Sequence, residues 1–317
     1  MATAGQVVER VGVRPAPGRI ARLLEQMRKE KVAYLFLAPY AIVFFVFMIL
    51  PVLTAIGLSF TYYNMLQPPK WIGLTNYRLL LLDDSVFLIG VKNTLYFAVI
   101  AGPVSFAASF LFAWLINMQK ARKPLALIFY APSLVSGIAM GLIASYFLSG
   151  DRYGLLNDFL LRIGATSTPI QFLRDARLIM PFIILVQLYM SLGNGFLVNI
   201  AGLQNVDKTL YEAAALDGVR SKLQEMWYIT VPLMKPQLLF NAVTSIVSSF
   251  NVFVITIAMV GFPSWQYAGH TIVAHMYDYA FIRFSLGYAS AVAVVLFLFT
   301  FTLNRIIMRV LSTRGDY

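Results

Sequence analysis

The chain has 317 residues, of which 59% are hydrophobic and 12% charged, whereas a soluble domain has roughly 45–50% apolar and about 25% charged residues. A soluble protein of this length could not bury so much apolar surface, and a disordered chain needs the opposite composition, so both classes are excluded. The chain has no cysteine and a net charge of +11, which excludes disulfides and cysteine-based metal sites.

Six stretches of the sequence are free of Asp, Glu, Lys and Arg and are long enough to cross a membrane. A span needs about 20 apolar residues, and lipid offers the backbone no hydrogen bonds, so each stretch is expected to be a helix. The fold class predicted is therefore all-α integral membrane with six transmembrane helices. The predicted spans are 34–61, 93–117, 125–148, 178–200, 237–260 and 285–308.

The basic residues are divided unevenly between the two sides of these spans. With both termini in the cytoplasm, 17 of the 25 Lys and Arg residues lie on the cytoplasmic side and 8 on the other, as the positive-inside rule requires. The net charge therefore indicates topology and not nucleic-acid binding. The predicted domains are a basic cytoplasmic segment at 1–31, a six-span domain at 32–310 with a cytoplasmic loop at 201–236, and a cytoplasmic tail at 311–317.

Patterns typical of catalytic sites are missing from the sequence. It has no phosphate-binding loop, no nucleophile elbow and no charge near the centre of a span. His270 and His275 stand five residues apart, where a helical metal pair needs four, so they are predicted to be loop or interface residues and not ligands. The chain is expected to be no enzyme and to hold no metal or cofactor. A membrane-embedded enzyme or a secondary transporter, the rival classes, would need intramembrane catalytic or ion sites.

Close packing of helices is one interpretation of a glycine pair in the third span. Gly137 and Gly141 are four residues apart, and this spacing allows two helix backbones to approach. Chance spacing is the alternative.

The loop at 201–236 predicts two short helices separated by a turn. It is either a docking surface or an amphipathic connector that rests on the bilayer. The predicted elements are a helix at Leu210–Leu216, a turn at Asp217-Gly218 and a helix at Leu223–Tyr228, with Pro232 and Pro236 ending the segment.

The same loop resembles the EAA motif of ATP-binding-cassette importer permeases. Glu212-Ala213-Ala214-Ala215-Leu216-Asp217-Gly218, followed by Ile229-Thr230-Val231-Pro232, is similar to EAA, three residues, Gly, nine residues, Ile, any residue, Leu-Pro. This sequence has ten residues between Gly218 and Ile229, and Val231 in place of the leucine. The similarity extends over about 30–312 and is to the carbohydrate-uptake type, related to the maltose and glycerol-phosphate permeases. It includes Leu58–Asn64, Trp71–Tyr77 and Lys92–Leu95.

The resemblance implies a type I importer permease in the bacterial cytoplasmic (inner) membrane. It implies a second permease subunit, expected to be a different chain, two ATPase subunits that bind ATP and Mg²⁺, and an extracytoplasmic solute-binding protein. The solute is expected to be a sugar or oligosaccharide, with a permease for a non-sugar solute as the alternative. The residues that the motif assigns to ATPase coupling are Glu212, Ala213, Ala214, Asp217 and Gly218.

Polar residues mark one face of the fourth and of the fifth span. In each span three of them are spaced i, i+4, i+7, which places them on one side of a helix. Their hydroxyl and amide groups suit the hydroxyls of a sugar, and the resemblance implies solute contacts on these two helices. Hydrogen bonds between helices are the alternative. The predicted path residues are Gln187, Ser191 and Asn194 in the fourth span and Thr244, Ser248 and Asn251 in the fifth.

Two glycines flank one of these residues in the fourth span. Gly193-Asn194-Gly195 predicts a locally weakened helix, because glycine lowers helix stability. Such a site is useful where backbone opens to a cavity.

Overall fold

The structure is a computed structural model that describes residues 30–250 and 252–311. The chain divides into two compact units, Met1–Thr54 and Ala55–Tyr317. Most of the predicted N-terminal segment at 1–31 and of the predicted tail at 311–317 lies outside the described residues.

The described chain is mostly helical and contains one two-stranded β-ribbon. In chain order the helices are α1 Lys31–Leu58, α2 Thr75–Arg78, α3 Ser85–Asn117, α4 Arg122–Tyr130, α5 Gly137–Phe147, α6 Leu155–Arg162, α7 Ala176–Asn205, α8 Lys208–Leu216, α9 Lys222–Glu225, α10 Val231–Leu233, α11 Lys235–Phe250, α12 Val254–Val260, α13 Ile272–Tyr277 and α14 Leu286–Leu311.

Helix α1 is apolar on every side. It includes one π turn, Phe45–Ile49, and none of its residues is buried within the chain. A helix that is hydrophobic all round is stable only in apolar surroundings, so α1 has the composition of a membrane span.

A short antiparallel ribbon follows α1. Its strands are β1 Thr61–Tyr62 and β2 Lys70–Trp71, and Pro68-Pro69 lies between them. The side-chain amide of the buried Asn76, in α2, donates two hydrogen bonds of 2.9 Å to backbone oxygens at the start of the ribbon. These bonds fix the ribbon against the helix that follows it.

Helices α3, α7 and α11 pack together in the second unit, with a buried apolar core between them and their neighbours. Both α3 and α7 begin before the predicted spans, because each starts at an aspartate cap. Asp84 Oδ1 accepts from the Phe87 N–H at 2.9 Å, and Asp175 Oδ1 accepts from the Arg177 N–H at 2.8 Å. A capping side chain stabilises the first turn of a helix whether or not charged residues lie nearby.

The third predicted span is broken into two helices. Helix α4 continues into a 3₁₀ turn at Ala131–Leu134, and α5 then leaves at an angle of 92°. The prediction of a single helix over 125–148 is therefore wrong. Pro132 offers no backbone N–H, and Ser136 is extended and caps α5 with its hydroxyl at 3.2 Å from the Ala139 nitrogen.

The fifth predicted span is also bent, by 43° between α11 and α12. Among the described helices, four are long and apolar enough to cross a membrane, and six spans result if each bent pair forms one.

Close packing explains the glycine pair of α5. A Cβ atom at Gly141 would overlap the Cβ of Ala258 and lie 3.0 Å from the Ile255 carbonyl oxygen. At Gly137 the nearest atom would be 3.4 Å away, in the Val254 side chain. The packing interpretation is therefore confirmed for Gly141 only.

The 201–236 loop contains the predicted helix–turn–helix, with different bounds. Helix α8 begins at Lys208, and a π turn at Met226–Thr230 links α9 to α10. Pro232 and Pro236 lie in the first turns of α10 and α11, where the loop segment gives way to the next long helix. At such positions the missing N–H removes no helical hydrogen bond.

Candidate solute path and docking loop

A cavity of about 580 Å³ lies where α3, α7 and α11 meet the 3₁₀ turn after α4. We name it the serine-lined cavity because most of its polar lining is serine. Its polar lining residues are Ser105, Ser133, Gln187, Ser191, Asn241, Thr244, Ser245, Ser248 and Ser249, and its other lining residues are Met190, Gly195, Val198, Phe240 and Ile255.

Four of the six predicted path residues line this one cavity. Gln187 and Ser191 contribute from α7, and Thr244 and Ser248 from α11. The side chain of Asn194 and the whole of Asn251 lie outside the described residues. The i, i+4 spacing on each helix therefore brings its polar residues to a shared space.

Two of the lining side chains have polar groups that make no hydrogen bond to the described residues. Gln187 is half-buried and Ser248 is exposed, and neither makes a hydrogen bond to a residue in the described ranges. Ser191 differs, since its hydroxyl can donate to Ser105 Oγ at 2.7 Å or to the Leu188 oxygen at 2.9 Å. Gln187 and Ser248 are thus available to water or a solute.

Sequence reasoning missed five of the polar lining residues. The prediction covered one polar face of each of the two helices that flank the 201–236 loop. Helix α11 has a second polar face that also lines the cavity, and α3 and the 3₁₀ turn each contribute one serine. A signal was present in the i, i+4 spacing of the second polar face on α11. The missed residues are Ser105, Ser133, Asn241, Ser245 and Ser249.

A buried polar contact joins the three helices beside the cavity. The amide nitrogens of Asn241 and Asn199 lie 3.0 and 3.3 Å from Ser109 Oγ, and all three residues are fully buried. A Cβ at Gly195 would lie 2.5 Å from the Asn241 Oδ1, and one at Gly193 would overlap the Ser133 side chain. Helix α7 is continuous through this segment, so the glycines do not break it, and both allow close approach of neighbouring side chains.

A tight turn ends α8 at the predicted position. Gly218 has φ +94, the Val219 N–H donates to the Ala214 oxygen at 3.0 Å, and the Gly218 N–H donates to the Ala215 oxygen at 3.4 Å. This is the Schellman pattern, in which a residue with positive φ lets the last carbonyls of a helix find donors. Ser221 and Gln224 then form a capping box that starts α9.

One side of α8 faces away from the rest of the chain. Leu216 is 91% exposed, and Glu212, Ala213 and Asp217 are exposed as well, whereas Ala214 is half-buried. Isolated apolar residues are common on surfaces, but a leucine this exposed beside small alanines suits a partner's groove.

The opposite side of α8 is held by its neighbour. The hydroxyl of Tyr211 lies 2.9 Å from Thr230 Oγ1, and Thr230 is buried in the π turn. A π turn holds one residue more than an α turn, and the spacing between Gly218 and Ile229 is one residue longer than the EAA pattern. The π turn lies within this longer stretch and has room for one additional residue.

Comparison with known proteins identifies the chain. Residues 105–314 match the family described as binding-protein-dependent transport system inner membrane component. The chain belongs to this family. It is thus a multi-pass protein of the inner membrane, and the family consists of permease subunits of transport systems.

Individual relatives cover most of the permease. The chain is 30% identical to the probable ABC transporter permease protein YurN of Bacillus subtilis, over 89% of this chain and 96% of that protein. It is 28% identical to the arabinooligosaccharides transport system permease protein AraP of Bacillus subtilis, over 84% of each chain. It also resembles a chain of a bacterial ABC transporter involved in the import of the acidic polysaccharide alginate, with a TM-score of 0.74 and 25% identity over 90% of this chain and 99% of that chain.

The permease has a largely buried cluster of polar side chains at the N-terminal end of α3. We name it the Asp84 cluster, and its members are Asp84, His270, His275, Tyr279 and Tyr288. The hydroxyls of Tyr288 and Tyr279 donate to Asp84 Oδ2 at 2.7 and 3.2 Å. His275 Nε2 lies 3.2 Å from the same oxygen, and His275 Nδ1 lies 3.2 Å from His270 Nε2. The cluster therefore ties the segment before α14 to the start of α3.

His270 lies in the loop before α13, as predicted, whereas His275 lies within that helix, and both side chains are buried. Helix α13 begins at Ile272, so His270 precedes it and the two rings meet across its first turn. Among the described residues, no group of three or more His, Asp or Glu is placed to hold a metal ion.

Burial controls the protonation of the two histidines, and hydrogen bonds control that of Asp84. It lowers the pKa of His270 to about 4, and the neighbouring His275 lowers it as well. Burial also lowers the pKa of His275, although Asp84 opposes the shift. Burial raises the pKa of Asp84, but the Phe87 N–H, the tyrosine hydroxyls and His275 outweigh it, so that pKa is lowered. At neutral pH one carboxylate therefore faces two neutral imidazoles.

Proposed function

We propose that this permease is the membrane subunit of an ATP-driven importer that carries a sugar or oligosaccharide. The observation that carries the proposal is the serine-lined cavity, in which hydroxyl and amide groups of three apolar helices face a common space. Polar groups inside a membrane domain are retained where they meet a partner or a water-filled path. The relative AraP is named as an arabinooligosaccharides permease, which supports a carbohydrate as the solute of this permease.

The proposed assembly has the permease in six spans with both termini in the cytoplasm. The six-span domain is 32–310, and the loop at 201–236 contacts an ATPase through Glu212, Ala213, Ala214, Asp217 and Gly218. A second permease, expected to be a different chain, completes the path. Two ATPase subunits bind ATP and Mg²⁺, a solute-binding protein delivers the solute from outside, and the permease itself holds no cofactor. The exposed face of α8 and the Schellman turn support this docking role.

The transport step is alternating access. ATP binding and hydrolysis move the ATPase, the 201–236 loop passes that movement to α11 through the π turn, and the cavity opens to one side at a time. Tyr211 and Thr230 support this role, because their contact joins α8 to the helix that leads into the cavity wall.

The path assignment predicts that the double variant Gln187→Leu with Ser248→Ala takes up sugar about 5- to 150-fold more slowly. Each change removes a neutral hydrogen bond to a sugar hydroxyl, which contributes about 0.5–1.5 kcal/mol. The measurement is uptake into vesicles that contain the assembled transporter. Asn194→Ala and Asn251→Ala are expected to act in the same direction.

Ser145→Ala is the matched control for that experiment. Ser145 lies on α5, outside the cavity lining, and its hydroxyl donates to the Leu142 oxygen of its own helix. Uptake at the rate of the unchanged protein in the Gln187 and Ser248 double variant would assign these groups to helix packing.

The topology predicts where a reporter that works only outside the cytoplasm will be active. Fusions near Pro69, Ala165 and Gln266 should be active, and fusions near Ala121 and Asp217 should be silent. The reason is that Lys and Arg are concentrated in the second group of segments. An active fusion at Asp217 would reverse the orientation and remove the docking role.

A further inference from the structure

None of the described residues that line the serine-lined cavity has an ionisable side chain. The sequence extends this to its walls, because the stretches 93–119, 178–206 and 237–269 contain no Asp, Glu, Lys, Arg or His. We propose that the solute that crosses this cavity is an uncharged carbohydrate and that acidic carbohydrates are excluded. The inference rests on the proposed function, since it takes the cavity to be the solute path.

The direction of the hydroxyl protons supports this selectivity. A serine or threonine hydroxyl has one proton to donate and two lone pairs to accept with. Several lining hydroxyls give that proton to the protein itself. Ser133 donates to the Tyr130 oxygen at 2.7 Å, Thr244 to the Phe240 oxygen at 3.0 Å, and Ser249 to the Ser245 oxygen at 2.7 Å.

The groups that these residues leave for a solute are lone pairs. Sugar hydroxyls can donate to lone pairs, whereas a carboxylate only accepts. Apart from the uncommitted donors of residues such as Gln187 and Ser248, a uronic acid in the cavity would face acceptors, and the described lining residues offer it no counter-charge. Burying an unpaired charge is far more costly than burying a hydrogen-bonded hydroxyl. The cavity is therefore matched to a neutral, donor-rich solute.

The fold alone does not set this preference. A chain of similar fold belongs to a transporter involved in the import of the acidic polysaccharide alginate. The arrangement of the helices therefore does not by itself exclude an acidic solute, and the inference for this permease rests on the side chains of its own cavity lining.

Ser248 is the position at which the preference can be reversed. It is exposed, lines the cavity and makes no hydrogen bond to any residue that the structure describes. A lysine at this position has room and adds one positive charge to the lining. Ser248→Asn is the matched control, because it adds size and polarity without charge.

The experiment compares trigalacturonate with its methyl ester, which has the same sugar units but carries ester methyl groups in place of the negative charges. Each is titrated against the purified complete transporter in lipid nanodiscs without the solute-binding protein, beside a panel of neutral trisaccharides. The unchanged transporter is expected to bind the ester at least about tenfold more tightly than the acid, a difference of about 1.4 kcal/mol. Ser248→Lys is expected to gain binding of the acid in a salt-dependent manner, and Ser248→Asn is not.

The outcomes separate the inference from the proposed function. Equal binding of acid and ester by the unchanged transporter would overturn the charge selectivity and leave the sugar path in place. Failure of the ester and of every neutral trisaccharide to bind would overturn the path assignment, and with it the inference. The comparison in the unchanged transporter does not depend on the folding of any variant, and Thr244→Lys provides a second position should Ser248→Lys fail to assemble.

Discussion

Replacing Gly218 by valine is expected to abolish solute-stimulated ATP hydrolysis while the permease still inserts into the membrane. At φ +94 a β-branched side chain clashes with its own backbone, and leaving this conformation breaks the turn after α8. The exposed Leu216 and the start of α9 would then point in new directions, so the surface offered to the ATPase is lost. The measurement is co-purification of the ATPase with the variant, followed by ATP turnover.

Gly218→Asn is the matched control, because asparagine tolerates a left-handed backbone better than other side chains. It is expected to retain much of the turnover that valine removes. Glu212→Lys tests the same surface by charge and is expected to weaken ATPase association. Normal association and turnover in the valine variant would show that the loop does not couple the two subunits.

Replacing Gly141 by alanine is expected to destabilise the permease by about 1–3 kcal/mol, the usual cost of overpacking. The added methyl group would meet the Cβ of Ala258 and the backbone oxygen of Ile255, and backbone cannot move aside as a long side chain can. Helices α5 and α12 would have to separate. The measurement is the unfolding temperature of the purified protein in detergent.

Gly137→Ala makes the same chemical change one turn away in the same helix. Its methyl group would find its nearest atom 3.4 Å away, an ordinary contact. Alanine also favours a helix by up to about 1 kcal/mol over glycine, so this variant should be as stable as the unchanged protein or more so. Equal loss of stability in both variants would mean that close packing at Gly141 is not what holds α5 to α12.

Composition was sufficient to predict a membrane protein and most of its helices, because a long charge-free stretch has few other structures available in lipid. Helix ends were predicted less well. A charged residue such as Arg177 favours a loop in a membrane protein, whereas α7 begins at the cap supplied by Asp175, before that charge. The break at Pro132 was missed, since proline within an apolar stretch either continues a span or divides it, depending on the packing around it.

The candidate site was predicted in part. Spacing along one helix identified Gln187 and Thr244, which share a cavity wall with their neighbours. It could not identify Ser105 or Ser133, because their place in the lining depends on how α3 and the turn after α4 pack against α7. The partnership of Asp84 with His275 was hidden for the same reason, since the two residues are far apart in the chain and meet only in the folded protein.

The π turn at Met226–Thr230 affects the direction in which the side chains of the following helix point around its axis. One residue added to an α-helix rotates everything beyond it by about 100°, because each turn contains 3.6 residues. Such a rotation would carry Thr244 and Ser248 away from the cavity, or else turn Tyr211 away from Thr230. A wider turn takes up the additional residue locally. The loop can thus differ in length from the EAA pattern while both ends of this connection keep their orientation.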